Sequence, residues 1–417
     1  MKNTLLKILV SLALIVLFAC GCSTAPQDET LTIVHATDMH FLSPELTDGG
    51  EGFIDILTRA DGKVTQYSPQ LCEAFAADML ELNPDVVVLS GDLTLNGAHA
   101  SHGGLAAVLK PLCDAGITVL ALPGNHDTGG TAYAFAGDGV ERVESLSDAD
   151  FADTYAEFGY DNAINRDENS QSYVAEISPK LRLMLIDVNA NDTAGQVHDE
   201  TVNWVLTQLK EAQAAGTKVI TVTHQPLLTH NRLFTFGYTA VGSEKLLSLF
   251  EEYGVSLNLC GHLHIQHIAK DGDFVEIAGS SMAVSPNQYG VLTVKNGVPE
   301  SYSTRSVNVA EWAANAGETN PELLDFANFS AGFFDLVTEK QVAAMMEEIT
   351  APEADKSAMT AFAVRLNAEY FAGKPTASAD DPAWALWQQY LPGSFFGIYM
   401  STMLEESGAD MTEYSWE

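Results

Sequence analysis

The clearest structural signal in the chain is a run of branched apolar residues that ends in a glycine and an acid, Asp85-Val86-Val87-Val88-Leu89-Ser90-Gly91-Asp92. Such a run is typical of a strand that is buried on both faces, as in the parallel sheets of α/β proteins. Residues 70–82 before the run and residues 105–115 after it have the apolar spacing of amphipathic helices. The alternation of strand and helix predicts an α/β fold with a largely buried sheet.

Polar residues follow four other predicted strands in a similar way. In chain order, the five clusters are Thr37-Asp38-Met39-His40, Ser90-Gly91-Asp92, Gly124-Asn125-His126-Asp127, Thr223-His224-Gln225-Pro226 and Cys260-Gly261-His262-Leu263-His264. In open α/β sheets, ligand sites form from the loops at the carboxyl ends of strands. We therefore expect the five clusters to direct their side chains into one crevice.

The side chains of these clusters suit metal binding. They offer carboxylate, imidazole and amide donors, and no pair of cysteines has the spacing of a zinc thiolate site. Such a mixed set suits Mn, Fe or Zn rather than an all-oxygen Mg or Ca site. His262 and His264 are two residues apart on an extended turn, so they point in different directions and could serve two neighbouring metals. Asp92 could bridge these metals through its two carboxylate oxygens.

The amino-acid composition of the sequence changes at about residue 307. After it, Ala, Glu, Met and aromatic residues recur at helical spacing between prolines. This pattern predicts helices over residues 337–349, 354–372, 383–391 and 401–407, and hence a C-terminal all-α domain over residues 308–417. An aromatic-rich stretch within it, residues 384–399, could pack a core, cap the crevice or mediate dimers. The sequence does not distinguish these roles, and it does not indicate an oligomeric state.

The charge balance excludes one class of partner. The chain has 20 Lys+Arg against 56 Asp+Glu, which gives a formal net charge of −36. A protein that tracks DNA or RNA needs a basic stripe to displace counterions, and the sequence contains none. We therefore expect no nucleic-acid polymer as a partner. A small anionic substrate stays compatible, because bound metal cations reverse the field locally.

The first residues are typical of an export signal. Two lysines precede the apolar run of residues 8–18, which ends at Ala19-Cys20-Gly21-Cys22. The run is short for a membrane span and its exit residues are small, so residues 1–19 are predicted to be a signal peptide. Residues 17–20 resemble a bacterial lipobox, with Cys20, or alternatively Cys22, as the lipidated residue. Residues 20–30 would then be a lipidated tether, anchoring the exported protein to the outer face of the bacterial cell membrane.

The five clusters together resemble the motifs of a known family. In this order, Asp-x-His, Gly-Asp, Gly-Asn-His-Asp, His and Gly-His-x-His look like the calcineurin-like metallophosphoesterases, over about residues 31–307. Residues 90–97 and 160–164 further resemble bacterial class III cyclic-nucleotide phosphodiesterases, a group with a lipoprotein branch. The resemblance implies a metallophosphoesterase β-sandwich flanked by helices over residues 31–307, with the all-α domain after it.

The resemblance also implies two divalent metal ions, with Mn or Fe favoured and Zn as a further option. One metal would have two Asp and two His ligands, Asp38, His40, Asp92 and His264. The other would have mixed ligands, Asp92, Asn125, His224 and His262. By the same resemblance, His126 would stand beside the substrate without binding metal, and Asp127 would orient its imidazole.

The implied reaction is hydrolysis of a small phosphodiester, a 3′,5′-cyclic nucleotide by the more specific resemblance. A hydroxide that bridges the two metals would attack phosphorus, and His126 would protonate the leaving alkoxide as general acid. Two alternatives stay open: a phosphomonoesterase or nucleotidase that uses the same site, and a non-catalytic metal-containing binding lipoprotein. No substrate-binding residue is assigned, although four residues lie near the clusters in sequence: His102, His230, Asn231 and His267.

Overall fold

The computed structural model of the protein describes residues 28–59, 61–190 and 193–416. The predicted signal peptide, and the part of the tether that carries Cys20 and Cys22, lie outside these residues. Within the described part of the chain, no helix is both long enough and apolar enough to cross a membrane.

The β-strands of the described residues fall into two large sheets and one hairpin. In chain order they are β1 (Thr30–Ala36), β2 (Val86–Leu89), β3 (Thr118–Ala121), β4 (Tyr133–Ala136), β5 (Gly139–Arg142), β6 (Asn165–Arg166), β7 (Tyr173–Ser178), β8 (Leu181–Leu185), β9 (Lys218–Val222), β10 (Leu257–Cys260), β11 (His267–Asp271), β12 (Phe274–Ala278), β13 (Gln288–Lys295), β14 (Val298–Ser306) and β15 (Glu413–Ser415). The first sheet has the order β15-β14-β13-β1-β2-β3, and the second has the order β11-β12-β10-β9-β8-β7-β6.

The α-helices lie between these strands and after them. They are α1 (Glu51–Arg59), α2 (Ser68–Leu82), α3 (His99–Asp114), α4 (Asp148–Thr154), α5 (Asp199–Ala215), α6 (Ser243–Tyr253), α7 (Val309–Ala316), α8 (Pro321–Leu324), α9 (Phe326–Glu348), α10 (Glu353–Phe371), α11 (Pro382–Tyr390) and α12 (Phe395–Glu405). Strands β1, β2 and β3 run parallel, as do β8, β9, β10 and β12, whereas outer strands such as β14 and β7 pair antiparallel. The predicted α/β fold is confirmed, and its sheets are partly antiparallel.

The two sheets share one apolar core. Along β8, Leu183 and Leu185 point into this core together with Ile33 of β1 and Leu259 of β10. Met184, between the two leucines, instead packs with residues of α5 and α6 on the outer face of the second sheet. Successive side chains of a strand point to opposite faces, so this alternation shows a sheet that is covered on both sides. The predicted β-sandwich flanked by helices is therefore confirmed.

The C-terminal helices α9 to α12 pack around an apolar core of their own. Leu263, in the last polar cluster, and Ile265, directly after it, also join that core and alternate with His262 and His264. The backbone N–H of Gln266 donates to the carbonyl of Phe371 in α10 at 3.0 Å. The helical region therefore holds one of the polar loops in place. After the helices, β15 returns to pair with β14, an element that the sequence did not predict.

Candidate metal centre

The five polar clusters meet at one edge of the sandwich, where the parallel strands β1, β2, β3, β9 and β10 end. Two groups of side chains there have donor atoms within 4.8 Å of one another: Asp38, His40, Asp92 and His264 in the first, and Asp92, His224 and His262 in the second. Asp92 belongs to both groups, so they form one continuous site. The structure thus brings together the acidic and imidazole ligands that the sequence predicted.

Asp92 lies between the two groups. Its Oδ1 is 3.3 Å from His224 Nε2, and its Oδ2 is 3.9 Å from His40 Nε2. The backbone N–H of His126 donates a hydrogen bond to Oδ1 at 2.9 Å and fixes the carboxylate in this orientation. One oxygen of Asp92 therefore faces each group, which is the arrangement that a bridging carboxylate needs.

Asn125 adds an amide oxygen to the second group. Its Oδ1 lies 3.2 Å from His224 Nε2 and accepts a hydrogen bond from Gln225 Nε2 at 3.2 Å. Gln225 is itself held by Asn189, which accepts from its Nε2 at 2.8 Å and donates to its Oε1 at 2.9 Å. This chain of amides presents the oxygen of Asn125, rather than its nitrogen, to the site.

The backbone holds most of these ligands in a conformation that is rare outside glycine. A positive φ crowds the Cβ against the backbone, yet five of the seven predicted metal ligands have one: Asp38 (52°), His40 (44°), Asp92 (48°), His262 (69°) and His264 (61°). Hydrogen bonds between the loops offset this strain. The N–H of Asp38 donates to the carbonyl of Gly91, and the N–H of His40 donates to that of Asp92, each at 3.0 Å. Strained backbone of this kind concentrates at functional sites.

In three of the histidines, an acceptor outside the site engages one ring nitrogen. His224 Nδ1 lies 2.9 Å from the carbonyl oxygen of Ser90, and His262 Nε2 lies 2.9 Å from that of Gly237. His264 Nδ1 is hydrogen-bonded to the carboxylate of Asp61. When one ring nitrogen donates its proton, the other has a lone pair for a metal. We therefore expect His224 and His264 to bind metal through Nε2, and His262 through Nδ1.

The electrostatics of the site favour cations. Burial opposes the ionisation of Asp92, but the neighbouring His224 and His126 hold the pKa of that carboxyl well below its usual range. Burial likewise opposes protonation of an imidazole, yet Asp92 outweighs it and raises the pKa of His224 to about 9. In the same way Asp61 raises the pKa of His264 to about 9. The site thus attracts protons, and a metal ion at the same place would displace them.

One buried acceptor of the site lies where either a proton or a metal ion can bind. Asp38 Oδ2 accepts hydrogen bonds from Thr37 Oγ1 at 2.7 Å and from the N–H of His262 at 3.0 Å. Asp38 Oδ1 is buried and has no hydrogen-bond partner among the described residues. His264 Nε2 lies 3.1 Å from it and, in the neutral ring, is also an acceptor. Two buried acceptors this close need a proton or a metal ion between them. A proton on His264 meets this need when no metal is bound, and a divalent metal would replace that proton, so the donor set fits a divalent metal.

His126 lies at the mouth of the site. Its side chain is 44% exposed, and its Nε2 is 4.0 Å from Asp92 Oδ2. Its Nδ1 lies 3.0 Å from the carbonyl oxygen of Leu95. The prediction that Asp127 orients this imidazole is therefore wrong, because the backbone of Leu95 does so. Neighbouring residues of the tight loop point to opposite sides, and Asp127 is turned into the interior.

Asp127 positions the loops instead. One carboxylate oxygen accepts from the backbone N–H groups of Leu93 at 3.0 Å and Gly124 at 2.8 Å. The other accepts from the N–H of Thr94 at 2.9 Å and from its hydroxyl at 3.0 Å. These bonds tie the loop that carries Asp92 to the loop that carries Asn125. Asp127 is therefore a positioning residue.

Replacing Asp127 with asparagine should lower both stability and metal content. The amide keeps the volume but offers one acceptor oxygen instead of two, so at least one buried donor loses its partner, at about 1–3 kcal/mol. We expect a lower Tm and less bound metal per chain after dialysis. Asp138→Asn, in the exposed turn between β4 and β5, is the matched control. An Asp127→Asn variant that matches this control in both measurements would contradict the positioning role.

Two glycines allow the loops to approach each other. A Cβ on Gly124 would lie 2.3 Å from the backbone nitrogen of Asp92, and one on Gly261 would lie 1.9 Å from Thr37 Oγ1 and 2.5 Å from Asp38 Oδ2. Neither glycine is among the residues with positive φ. These positions therefore require space rather than a special backbone conformation.

A Gly261→Ala substitution should displace Asp38 and destabilise the protein. Overpacking of this kind costs about 1–3 kcal/mol, and here the added atom meets a metal ligand. We expect a lower free energy of unfolding in urea and weaker metal binding. Gly103→Ala in α3 is the control, since a Cβ there meets nothing within 4 Å. Equal behaviour of the two variants would refute the steric argument.

The structure adds one acidic residue that the sequence analysis missed. Asp61 is hydrogen-bonded to His264 Nδ1 and forms an ion pair with Lys63 at 2.7 Å. Burial raises the pKa of Asp61, but Lys63 and His264 outweigh it and hold that pKa well below its usual range. The ionised carboxylate fixes the ring of His264. Asp61 is 203 residues from His264 and follows no strand, so no motif could have revealed it.

Of the four further residues that lie near the clusters in sequence, Asn231 lies beside the site and His102 lies in the interior. Asn231 lines a cavity beside the site. His102 is buried in α3, with Nδ1 at 2.9 Å from the hydroxyl of Tyr155 and Nε2 at 2.9 Å from the carbonyl of Asp127. His102 therefore supports the loop of Asp127 and does not reach the metal ligands.

His230 and His267 form a buried pair, with their Nδ1 atoms 2.9 Å apart. His230, Cys260 and Glu276 also have donor atoms close enough to hold a metal ion. However, Glu276 already accepts hydrogen bonds from three neutral donors, the N–H groups of Leu227 and Leu228 and the Nδ2 of Asn258. This group is therefore a hydrogen-bonded support for the loop after His224.

Comparison with known families agrees with this geometry. Residues 31–266 match the model of the calcineurin-like phosphoesterases, and residues 308–410 match that of the C-terminal domain of cyclic nucleotide phosphodiesterase. The first match covers more than half of the chain and contains every predicted metal ligand. No curated protein matches the chain significantly.

Solved structures with a related fold include two phosphatases. A dimetal phosphatase from Danio rerio is 14% identical, with 66% of this chain and 95% of that chain covered and a TM-score of 0.46. A purple acid phosphatase from yellow lupin (Lupinus luteus) seeds is 14% identical, with 67% of this chain and 52% of that chain covered and a TM-score of 0.42. Both TM-scores are below 0.5, so the assignment of this chain rests on the family models.

Proposed function

Because the chain belongs to the calcineurin-like phosphoesterases, which are metal-dependent phosphoester hydrolases, we propose that it hydrolyses a small phosphodiester, specifically a 3′,5′-cyclic nucleotide. The observation that carries this proposal is the pair of donor groups that share Asp92, with the exposed imidazole of His126 beside them. The match of residues 308–410 to the C-terminal domain of cyclic nucleotide phosphodiesterase supports the substrate class.

The residues of the site would hold two divalent metal ions. Asp38, His40, Asp92 and His264 would hold the first, and the second would be held by Asp92, Asn125, His224 and His262. When bound, such a pair supplies an activated water and neutralises the phosphoryl oxygens. The mixture of nitrogen and oxygen donors favours Mn or Fe, with Zn as a further option. Elemental analysis of the purified protein identifies which metals it takes up.

His126 would protonate the leaving oxygen of the substrate. The carbonyl of Leu95 engages its Nδ1 and fixes the ring, so Nε2 is the atom that faces the site. A general acid must hold its proton within hydrogen-bond reach of the leaving oxygen, and Nε2, beside Asp92 and open to solvent, meets this need. The aligned ring limits the motion needed for proton transfer.

The reaction is tested directly by following 3′,5′-cyclic AMP over time by chromatography with Mn-loaded protein. We expect conversion to the 5′-monophosphate without further release of adenosine, and loss of this activity in an Asn125→Ala variant. Asn203→Ala, an exposed residue of α5, is the matched control. Release of adenosine from the monophosphate would favour a phosphomonoesterase. No turnover of any ester by metal-loaded protein would favour a binding lipoprotein.

We also propose that the protein is exported and anchored to the outer face of the bacterial cell membrane through a lipid on Cys20 or Cys22. The support is the export signal and the lipobox-like residues 17–20. Membrane fractionation of Cys20→Ser and Cys22→Ser variants tests this. We expect one of them to lose its lipid and leave the membrane fraction. A double variant that stays in that fraction, or a wild-type protein without lipid, would contradict the anchor.

A further inference from the structure

A cavity of about 250 Å³ opens beside the metal centre and ends against the helical bundle. On one side it is lined by His262 and His264, two of the predicted metal ligands. On the other side it is lined by side chains of the C-terminal helices, Tyr370 and Phe371 of α10 and Tyr399 of α12. The cavity therefore lies between two of the predicted metal ligands and the helical bundle.

Much of the wall of this cavity is aromatic, and the carboxylate of Asp61 also lines it. The loop between β9 and α6 contributes Phe234 and Tyr238, whose ring centroids are 4.8 Å apart. Phe234 contacts Tyr399 at a centroid distance of 5.1 Å, and Tyr238 lies 5.9 Å from the ring of His262. A continuous series of rings thus leads from a metal ligand to the helical bundle. Such rings provide flat apolar surfaces on which another ring can stack.

The cavity also retains hydrogen-bonding capacity. Across the part of the chain that the structure describes, the hydroxyl groups of Tyr238 and Tyr399 have no hydrogen-bond partner, and both residues line the cavity. The amide nitrogen of Asn231, by contrast, is used by Tyr370 at 3.0 Å and by Thr402 at 2.8 Å. Two phenol groups are therefore free to bond the edge of a ligand that stacks on the aromatic walls.

We propose that this cavity binds the nucleobase of the substrate, stacked against Phe234 and Tyr399, while the phosphate is at the metal centre. This inference rests on the proposed function, because it assumes a nucleotide. A flat heteroaromatic ring suits the cavity better than an acyl chain, which needs a longer apolar channel. It also suits the cavity better than a bare sugar, whose hydroxyl groups need more polar partners. The helical region then has a role in substrate selection through Tyr399.

The test compares two ligands that differ only in the base. Binding of adenosine 5′-monophosphate and of ribose 5-phosphate to the metal-loaded protein is measured by equilibrium dialysis. We expect the wild-type protein to bind the nucleotide about tenfold more tightly or better, as base–aromatic stacking provides. Phe234→Leu and Tyr399→Leu, which keep apolar bulk but remove the ring, should bring the two affinities close together. Phe234→Tyr, which keeps an aromatic ring at this position, should retain the preference for the nucleotide.

Phe236→Leu is the matched control, because Phe236 lies on the same loop as Phe234 but is 92% exposed and does not line the cavity. Equal affinities in the wild-type protein, or a preference that survives both leucine variants when their Tm is unchanged, would overturn the proposal. A variant that unfolds is replaced by Tyr238→Leu, for which the same loss is expected. Binding needs no turnover, so a protein that prefers the nucleotide but hydrolyses no cyclic nucleotide would sink the proposed function and leave this inference standing.

Discussion

An Asp92→Asn variant is expected to lose turnover of every phosphate ester by about 10³-fold or more, because the loss of bridging charge removes metal-based stabilisation of the transition state. Asp92 is the residue shared by the two donor groups, and each of its oxygens faces one of them. An amide of the same shape has a single acceptor oxygen and no charge, so it cannot serve both groups. We therefore expect the metal content to fall from two ions per chain to one or none.

The control for this variant is Asp273→Asn, in the exposed turn between β11 and β12. A graded comparison is also available within the site. His40→Ala and His262→Ala each affect one donor group only, so each should leave one metal ion bound. Two metal ions per chain and near wild-type turnover in Asp92→Asn would contradict the shared role of this carboxylate.

The second large effect is expected for His126→Asn, and it should depend on the leaving group. Loss of a general acid lowers turnover by about 10²–10⁴-fold when the leaving group is an alkoxide, as in a cyclic nucleotide. A p-nitrophenolate needs little protonation, so hydrolysis of bis(p-nitrophenyl) phosphate should change far less. Metal content should stay at the wild-type value, since His126 is outside both donor groups.

Parallel measurements of kcat on the two substrates separate proton transfer from other effects. The control is His99→Asn, the same substitution at the start of α3, which should leave kcat on both substrates unchanged. Equal losses on both substrates, or a loss of bound metal, would show that His126 holds the site together instead of donating a proton.

The sequence predicts the buried parallel strands better than the exposed and short strands. The apolar runs at 85–89 and 218–223 became β2 and β9, since buried parallel strands have continuous apolar sequences. The hairpin of β4 and β5 has polar, exposed residues such as Glu141, and β14 is rich in serine. β15 has only three residues and joins the sheet through long-range pairing with β14. Such strands depend on tertiary contacts, and their sequences do not reveal them.

Within the site, the predicted ligands were found because each follows a strand, and parallel strands end at one edge. The roles of their neighbours depend on loop geometry and were predicted less well. Asp127 turns away from His126 and accepts hydrogen bonds from the N–H groups of Leu93 and Thr94 in another loop, although Asp127 and His126 are adjacent in sequence. Asp61 reaches His264 from the segment after α1. Neither contact has a fixed spacing that a sequence could show.

The C-terminal helices bear on the function because of where they pack. The loop Gly-His-Leu-His-Ile directs its histidines to the metal centre and its apolar residues, Leu263 and Ile265, into the bundle core. Of the aromatic stretch in these helices, Trp387 lies in the bundle core, whereas Tyr399 lines the cavity beside the metal ligands. The aromatic stretch of residues 384–399 therefore contributes both to the core of the helical bundle and to the cavity beside the metal ligands.

The most direct test of the central claim, a two-metal centre bridged by Asp92, is an anomalous difference map from a crystal of the Mn-loaded protein, recorded near the manganese absorption edge. We expect two peaks, one among Asp38, His40, Asp92 and His264, and one among Asp92, Asn125, His224 and His262, with Asp92 in contact with both. A single peak, or a strong peak at His230, Cys260 and Glu276 with none at Asp92, would contradict it.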